Sequence, residues 1–391
     1  MKGLVTLTGP QELCKVRPAR GHFALLRRGL LVLVRRQKKA RLRGRHVCAI
    51  DGWVAAFSAF LDRRLEDQSS GGSGMPLLNS LSADEAGLVP PDILIFFHIP
   101  KAGGTTMEFV LAQSFPGDQH FNAYVGVPDS AISTASRALI AEKYNLLSAE
   151  EKRSIRCVFG GHMPMGIHTL FDRPTRYFTI VRHPVDRVIS SFYFIKDKSY
   201  APHYELIKNM TLEQYMDCRI GLDPFDHQVR LLSGCEELDG PWGVDGKPVP
   251  AAAVEDRHLQ QAKRNIEEHF LTAAPLKAFS TLIVFLRRLY GWSLRSSLYE
   301  FQNATARRPQ VADLPKATRR RIEDYNQHDM ALYEWINVRF ADQIRAFDGK
   351  ISRDRRLFSV ANSAFRQIGR VAPKHVRTAL GFCDGDPRFE R

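Results

Sequence analysis

Apolar runs in this chain are short, and they stop abruptly at glycine, proline or charge. The run Ile93–Ile99 is too uniformly apolar for a half-exposed strand and predicts one covered on both faces. "RCVFGGH" (156–162) predicts a second short strand ending in glycines, and "RYFTIVRHP" (176–184) a third. Between them the apolar period lengthens to that of a helix. A helix is predicted from about Thr105 to Ser114, and another after Pro184, which suits a first helical position. In the second, Val185, Val188, Ile189 and Phe192 form one stripe, with Asp186, Arg187, Ser190 and Phe194 on the opposite side. "TLEQYMDC" opens with a Thr-x-x-Gln capping pattern, "FDHQVRLLSG" predicts a helix closed by Gly234, and 255–270 and 315–347 predict longer amphipathic helices. Short strands alternating with helices predict an α/β fold, a parallel β-sheet flanked by helices. No internal repeat is present.

Charge changes this picture only at one end. The 391 residues carry a net charge of +14, but residues 1–74 hold fifteen Lys/Arg against five Asp/Glu, which leaves +4 for the rest. The globular part is therefore only mildly basic, and a nucleic-acid reader is expected only if the arm itself binds. Residues 15–45 of that arm could touch an anionic surface. Residues 1–90 are expected to be a basic, disordered extension that includes the flexible linker "EDQSSGGSGMP" (66–76). The folded unit is expected over 91–348, with a tail over 349–391. The longest apolar run of "LLRRGLLVLVRRQKKARLRGR", Leu30 to Val34, is too short to span a bilayer and is boxed in by arginine, so the default localisation is cytoplasmic. Six scattered cysteines (14, 48, 157, 218, 235, 383) without a C-x-x-C fit free thiols better than disulfides or a structural zinc.

In parallel sheets ligands bind beyond the carboxyl ends of the strands. The three predicted strands end in "PKAGGTT", "GGH" and "RHP", which gathers the charged, glycine-rich and titratable residues at one edge. Gly103 and Gly104 let the backbone turn tightly and approach a ligand. The helix that follows offers unpaired N–H groups, Thr105 and Thr106 add hydroxyls, and Lys101 adds a full charge. The bland reading is a strand-to-helix turn with a solvated lysine. Because the lysine precedes the glycines, the stretch is not a Walker A loop.

This order resembles the 5′-phosphosulfate loop of sulfotransferases that use 3′-phosphoadenosine-5′-phosphosulfate (PAPS). "FFHIPKAGGTT" is similar to the form found in carbohydrate 2-O- and 6-O-sulfotransferases. "TIVRHPVDRVISSFYF" resembles the 3′-phosphate segment of the same enzymes, with Arg182 at the strand end, Pro184 after it and Ser190 on the next helix. The resemblance covers about 92–348, including "FGGHMPMGIH", "DHQVRLLSG", "LRRLYGW", "NATARRP" and "DMALYEWINVRFADQI", and is nearest the uronyl/heparan sulfate 2-O-sulfotransferase-like branch.

The resemblance implies sulfuryl transfer from PAPS to a hydroxyl of a carbohydrate or glycolipid, with no metal. It makes His162 the base, in a Gly-His matching that of the 2-O enzymes, and an imidazole suits that role near neutral pH. It makes Lys101 the stabiliser of the leaving phosphate, with Ala102, Gly103, Gly104, Thr105 and Thr106 around the phosphosulfate and Arg182 and Ser190 on the 3′-phosphate. Arg307 and Arg308 form a basic loop that could close over the nucleotide. His98 is expected to be a packing residue, His168 a candidate for acceptor contact, and Gln228 and Arg230 candidates to face the acceptor. Gly160 stands where the 2-O enzymes tend to carry a second histidine. Leu276 and Lys277 replace an acidic and a basic position. Two rival functions remain open on the sequence: a P-loop-type kinase using ATP, and nucleic-acid binding through the arm.

Overall fold

A computed structural model describes residues 90–125, 134–161, 163–201, 203–217, 224–238, 252–301, 308–347 and 350–371. The chain divides into two compact units, Pro76–Arg366 and a second made of Met1–Met75 with Gln367–Arg391, and the site belongs to the first. The basic extension with residues 15–45, His162 and Arg307 lie outside the described residues.

Five strands form one sheet in the order β2-β3-β1-β4-β5, with every neighbouring pair parallel. They are β1 (Ile93–Phe97), β2 (His120–Asn122), β3 (Cys157–Phe159), β4 (Thr175–Val181) and β5 (Phe270–Pro275). All five residues of β1 are buried, as its uninterrupted apolar run requires for a central parallel strand. Each such large side chain contributes about 1.5–3 kcal/mol on burial. The helices that place the site are α1 (Gly104–Ser114), α2 (Pro184–Asp197), α3 (His227–Ser233), α4 (Asp256–His269), α5 (Phe279–Tyr290), α6 (Gln327–Arg345) and α7 (Lys350–Val371).

The parallel α/β architecture is the one the pattern predicts, but two strands go unannounced. β2 is three residues long, and β5 reads FLTAAP, a weak strand former that is nonetheless wholly buried. A ladder with β4 from Tyr177↔Phe270 to Val181↔Pro275 supplies what local propensity does not. The helix expected over 315–347 is broken in two, Lys316–Asp324 and α6. Between them Asn326 is fully buried, and its Nδ2 donates to the carbonyls of Pro224 and Ile322, at 2.7 and 2.8 Å. A side chain thus takes over where the helical ladder stops.

The stripe Val185, Val188, Ile189 and Phe192 of α2 is buried as expected. Its opposite side departs from the expectation. Arg187 is fully buried and Ser190 is 5% exposed; burial and then Asp226 push the Asp329 carboxyl pKa up, and the Arg187 charge draws it part of the way back. The capping pattern at Thr211 is present, with reciprocal bonds between Thr211 and Gln214. α7 carries Ile351, Phe358, Ala361, Ala364 and Phe365 as buried residues, and Asn362 Oδ1 accepts the Tyr299 N–H. No helix of the described residues is long and apolar enough to cross a membrane.

Candidate active site

β1 and β4 are neighbours in parallel register, so the loops leaving Phe97 and Val181 emerge side by side. Arg182 Nη1 donates to the Lys101 carbonyl at 2.8 Å, which ties the two loops directly. Lys101 itself has φ 62 and Gly103 φ 86. A lysine in the left-handed region costs about 1–3 kcal/mol and is held there only by its surroundings. Its ammonium lies 3.4 Å from the centroid of the Phe194 ring, a cation–π contact. Gly104 opens α1. A Cβ on Gly104 would stand 1.8 Å from His98 Nε2, so the His98 ring fills the space that any side chain there would need. Beneath Gly103 lies Leu276, whose Cδ1 would be 2.7 Å from a Cβ at that position. The altered segment after β5 therefore gives the loop an apolar floor. Lys277 lies over the Tyr333 ring, its Nζ 5.6 Å from the centroid. Ala102 and Thr106 are buried, and Thr105 is half-buried.

Arg182 is organised by α2. Its Nε donates to Asp186 Oδ2 at 2.7 Å, four residues on, and Arg308 Nη1 reaches the other oxygen of the same carboxylate. Burial pushes the Asp186 carboxyl up, but Arg182 and then Arg308 more than offset it and hold it below the usual carboxylate range. Burial lowers the Arg182 pKa, against the raising effect of Asp186, and the guanidinium stays protonated in any ordinary pH range. Ser190 follows Asp186 by four residues and so lies on the same face of α2. Arg182 and Arg308 are thereby brought together on one carboxylate, with Ser190 one helical turn further along α2. The apolar pattern places the hub, Asp186, merely on the side of α2 away from the stripe, although its i, i+4 spacing from Arg182 is the signal for its role.

Gln228 and Arg230 do not face an acceptor. Gln228 is 1% exposed. Its Oε1 accepts the Arg182 N–H and its Nε2 donates to the Arg182 carbonyl, both at 2.9 Å. Arg230 donates to the carbonyls of Phe225 and Ala252. Both carboxylate oxygens of Asp329 accept backbone N–H groups of α3, from Gln228 at 3.1 Å and Val229 at 2.8 Å. A buried carboxylate fixes the helix, and the helix fixes the backbone of Arg182.

On the other side of β1, His98 Nδ1 lies 2.9 Å from Glu108 Oε1. That same oxygen accepts the Gly161 N–H at 3.2 Å. His98 is therefore more than a packing residue: with Glu108 it links the loop after β1 to the turn that precedes His162. A single carboxylate among Met107, Val110 and Leu111 was the available sign. His168 falls at the opposite end of the sheet, and its expected acceptor contact is corrected. Its Nδ1 lies 3.1 Å from the Tyr177 hydroxyl and its ring lies tilted against that of His269, with centroids 4.5 Å apart. Tyr177 is five residues before Arg182 on an extended strand, roughly 16 Å away.

Among the described residues, ligand atoms of Cys235, Glu237 and His258 lie within 4.8 Å of one another. Here His258 Nδ1 accepts the Glu255 N–H at 2.9 Å and its Nε2 faces Glu237 Oε1 at 3.2 Å, so the imidazole is committed to capping α4. The thiols of Cys157 and Cys235 are free.

A family model for galactose-3-O-sulfotransferase matches residues 32–369, which extends the kinship beyond the expected 92–348 at both ends. The chain is 24% identical over 308 residues to heparan-sulfate 6-O-sulfotransferase 1-B of Danio rerio, across 71% of this chain and 74% of that protein. It is 25% identical over 182 residues to galactose-3-O-sulfotransferase 2 of Mus musculus, across 46% of this chain and 43% of that protein. The chain thus spans less than half the length of the mouse relative.

Proposed function

The chain belongs to the galactose-3-O-sulfotransferase family, and from that premise we propose that it transfers the sulfuryl group of PAPS to a carbohydrate hydroxyl through Lys101, Arg182 and His162. Sulfotransferases of this family use PAPS, which supplies a sulfuryl group on a phosphate leaving group. The observation that carries the reading is the bond from Arg182 to the Lys101 carbonyl. It ties the lysine loop that leads into α1 to the arginine pair on Asp186, an arrangement that supports binding of a doubly phosphorylated nucleotide.

The residues present suit that donor. Lys101, the first N–H groups of α1 and the hydroxyls of Thr105 and Thr106 would neutralise charge as it develops on the 5′-phosphate. Arg182, Arg308 and Ser190 would hold the 3′-phosphate, with Asp186 keeping both guanidiniums aligned. His162 would take the proton from the acceptor hydroxyl as its oxygen attacks sulfur. Glu108 would steady the turn ahead of that histidine, so that base and donor loop keep a common frame.

Two measurements test this. The protein should be stabilised against heat by adenosine 3′,5′-bisphosphate and not by ATP with magnesium. It should move ³⁵S from labelled PAPS to a galactose-terminated oligosaccharide or to heparan sulfate, and His162→Ala should abolish that transfer while leaving bisphosphate binding intact. Stabilisation by ATP with magnesium alone would remove the proposal.

A further inference from the structure

Tyr124 stands just beyond β2, at the same edge of the sheet as the donor loop, and is 55% exposed. It is nevertheless fixed from three directions. Its N–H donates to Asn122 Oδ1 at 2.9 Å, and Lys143 Nζ donates to its carbonyl at 3.1 Å. Its ring lies against Gly161, where a Cβ would stand 2.7 Å from Tyr124 Cδ2. Gly161 has φ 69 and is the residue immediately before His162. One side of this glycine turn is thus bound to the donor helix through Glu108, and the other is covered by an aromatic ring open to solvent.

A ring held in place with one face open to solvent offers a ready aromatic surface to a ligand at this end of the sheet. Its position limits what that can be. The cationic loops occupy the β1 and β4 ends, which leaves the β3 and β2 ends, where Tyr124 stands, for an acceptor. A pyranose has hydroxyls round its rim and a face of C–H groups, and that face suits the electron-rich face of a tyrosine. We infer that Tyr124 is an acceptor platform, on which a saccharide ring stacks so that one hydroxyl is presented over the Gly160–Gly161 turn. This rests on the carbohydrate-transfer reading above.

The experiment compares wild type, Tyr124→Ala and Tyr124→Phe, using PAPS with a galactose-terminated oligosaccharide and with heparan sulfate. For the acceptor that is used, Tyr124→Ala should raise KM roughly tenfold and leave kcat at saturation within about twofold. Tyr124→Phe keeps the aromatic face and should match wild type. Affinity for adenosine 3′,5′-bisphosphate should be the same in all three proteins, a pattern that a general loosening of the turn would not produce. An unchanged acceptor KM in Tyr124→Ala overturns the inference. So does a wild type that binds the bisphosphate but neither binds nor sulfates either saccharide, and in that case the donor reading survives. A wild type that binds no bisphosphate takes both readings down together.

Discussion

The two ends of one sheet use the same residue types to opposite effect. At the amino ends of the strands, Arg173 donates to the carbonyls of Lys152, Arg153 and Ile155. There Arg176 donates to the Glu268 carbonyl, and His168 is engaged by Tyr177 and His269. The two arginines are satisfied by backbone oxygens and serve to close loops. At the carboxyl ends, Arg182 and Arg308 converge on a single carboxylate, a lysine stands in strained backbone, and a helix begins with glycine. Two arginines that share a single carboxylate beside a lysine carry surplus positive charge and suit an added anion; arginines bonded to several carbonyls do not.

Lys101→Ala should have the largest effect, lowering kcat for sulfate transfer by about 10²–10³ without a matching loss of thermal stability. Activity within a few-fold of wild type would mean that the lysine takes no part in the transfer. Arg182→Ala comes next: affinity for adenosine 3′,5′-bisphosphate, read by calorimetry, should fall by about 10–100-fold. Unaltered affinity would separate the arginine pair from the nucleotide. At the other end, Arg173→Ala should cost about 1.5–3 kcal/mol of stability by denaturant unfolding, while the protein that remains folded keeps its kcat and KM. A catalytic defect there would erase the contrast between the two ends.

The smallest expected effect concerns His168, whose pKa is lowered by burial, then by His269 and Arg137. A histidine lowered in the folded state is protonated first in the unfolded chain. Its stabilising contribution is therefore present above the ordinary histidine pKa and lost as pH falls below it. His168→Asn should flatten the fall of Tm between about pH 7 and 5, with no change in the pH profile of kcat. Parallel Tm curves for the two proteins would show that this ring does not titrate on unfolding.

Much of the site is legible in the order of residues alone. "PKAGGTT" announces a strand ending in a cationic, glycine-rich turn, and "RHP" with a serine further on announces a second. Where local pattern misleads, the cause is remote. β5 is a strand because β4 offers it a ladder, not because Ala and Pro favour one. Gln228 looks like helix-surface polarity, yet it binds both backbone groups of Arg182 across 46 positions. His168 looks like a loop histidine near the glycine motif and lies at the other end of the sheet.

Which stretches become central strand or amphipathic helix, and which strand ends carry charge, can be read along the chain, because period and composition are local properties. That Asp186 gathers two arginines, that Glu108 joins the donor loop to the Gly160–Gly161 turn, and that Tyr124 lies over Gly161 emerges from the fold alone. Hydrogen bonds and close packing between distant segments depend on positions to within an ångström, and only the folded chain sets them.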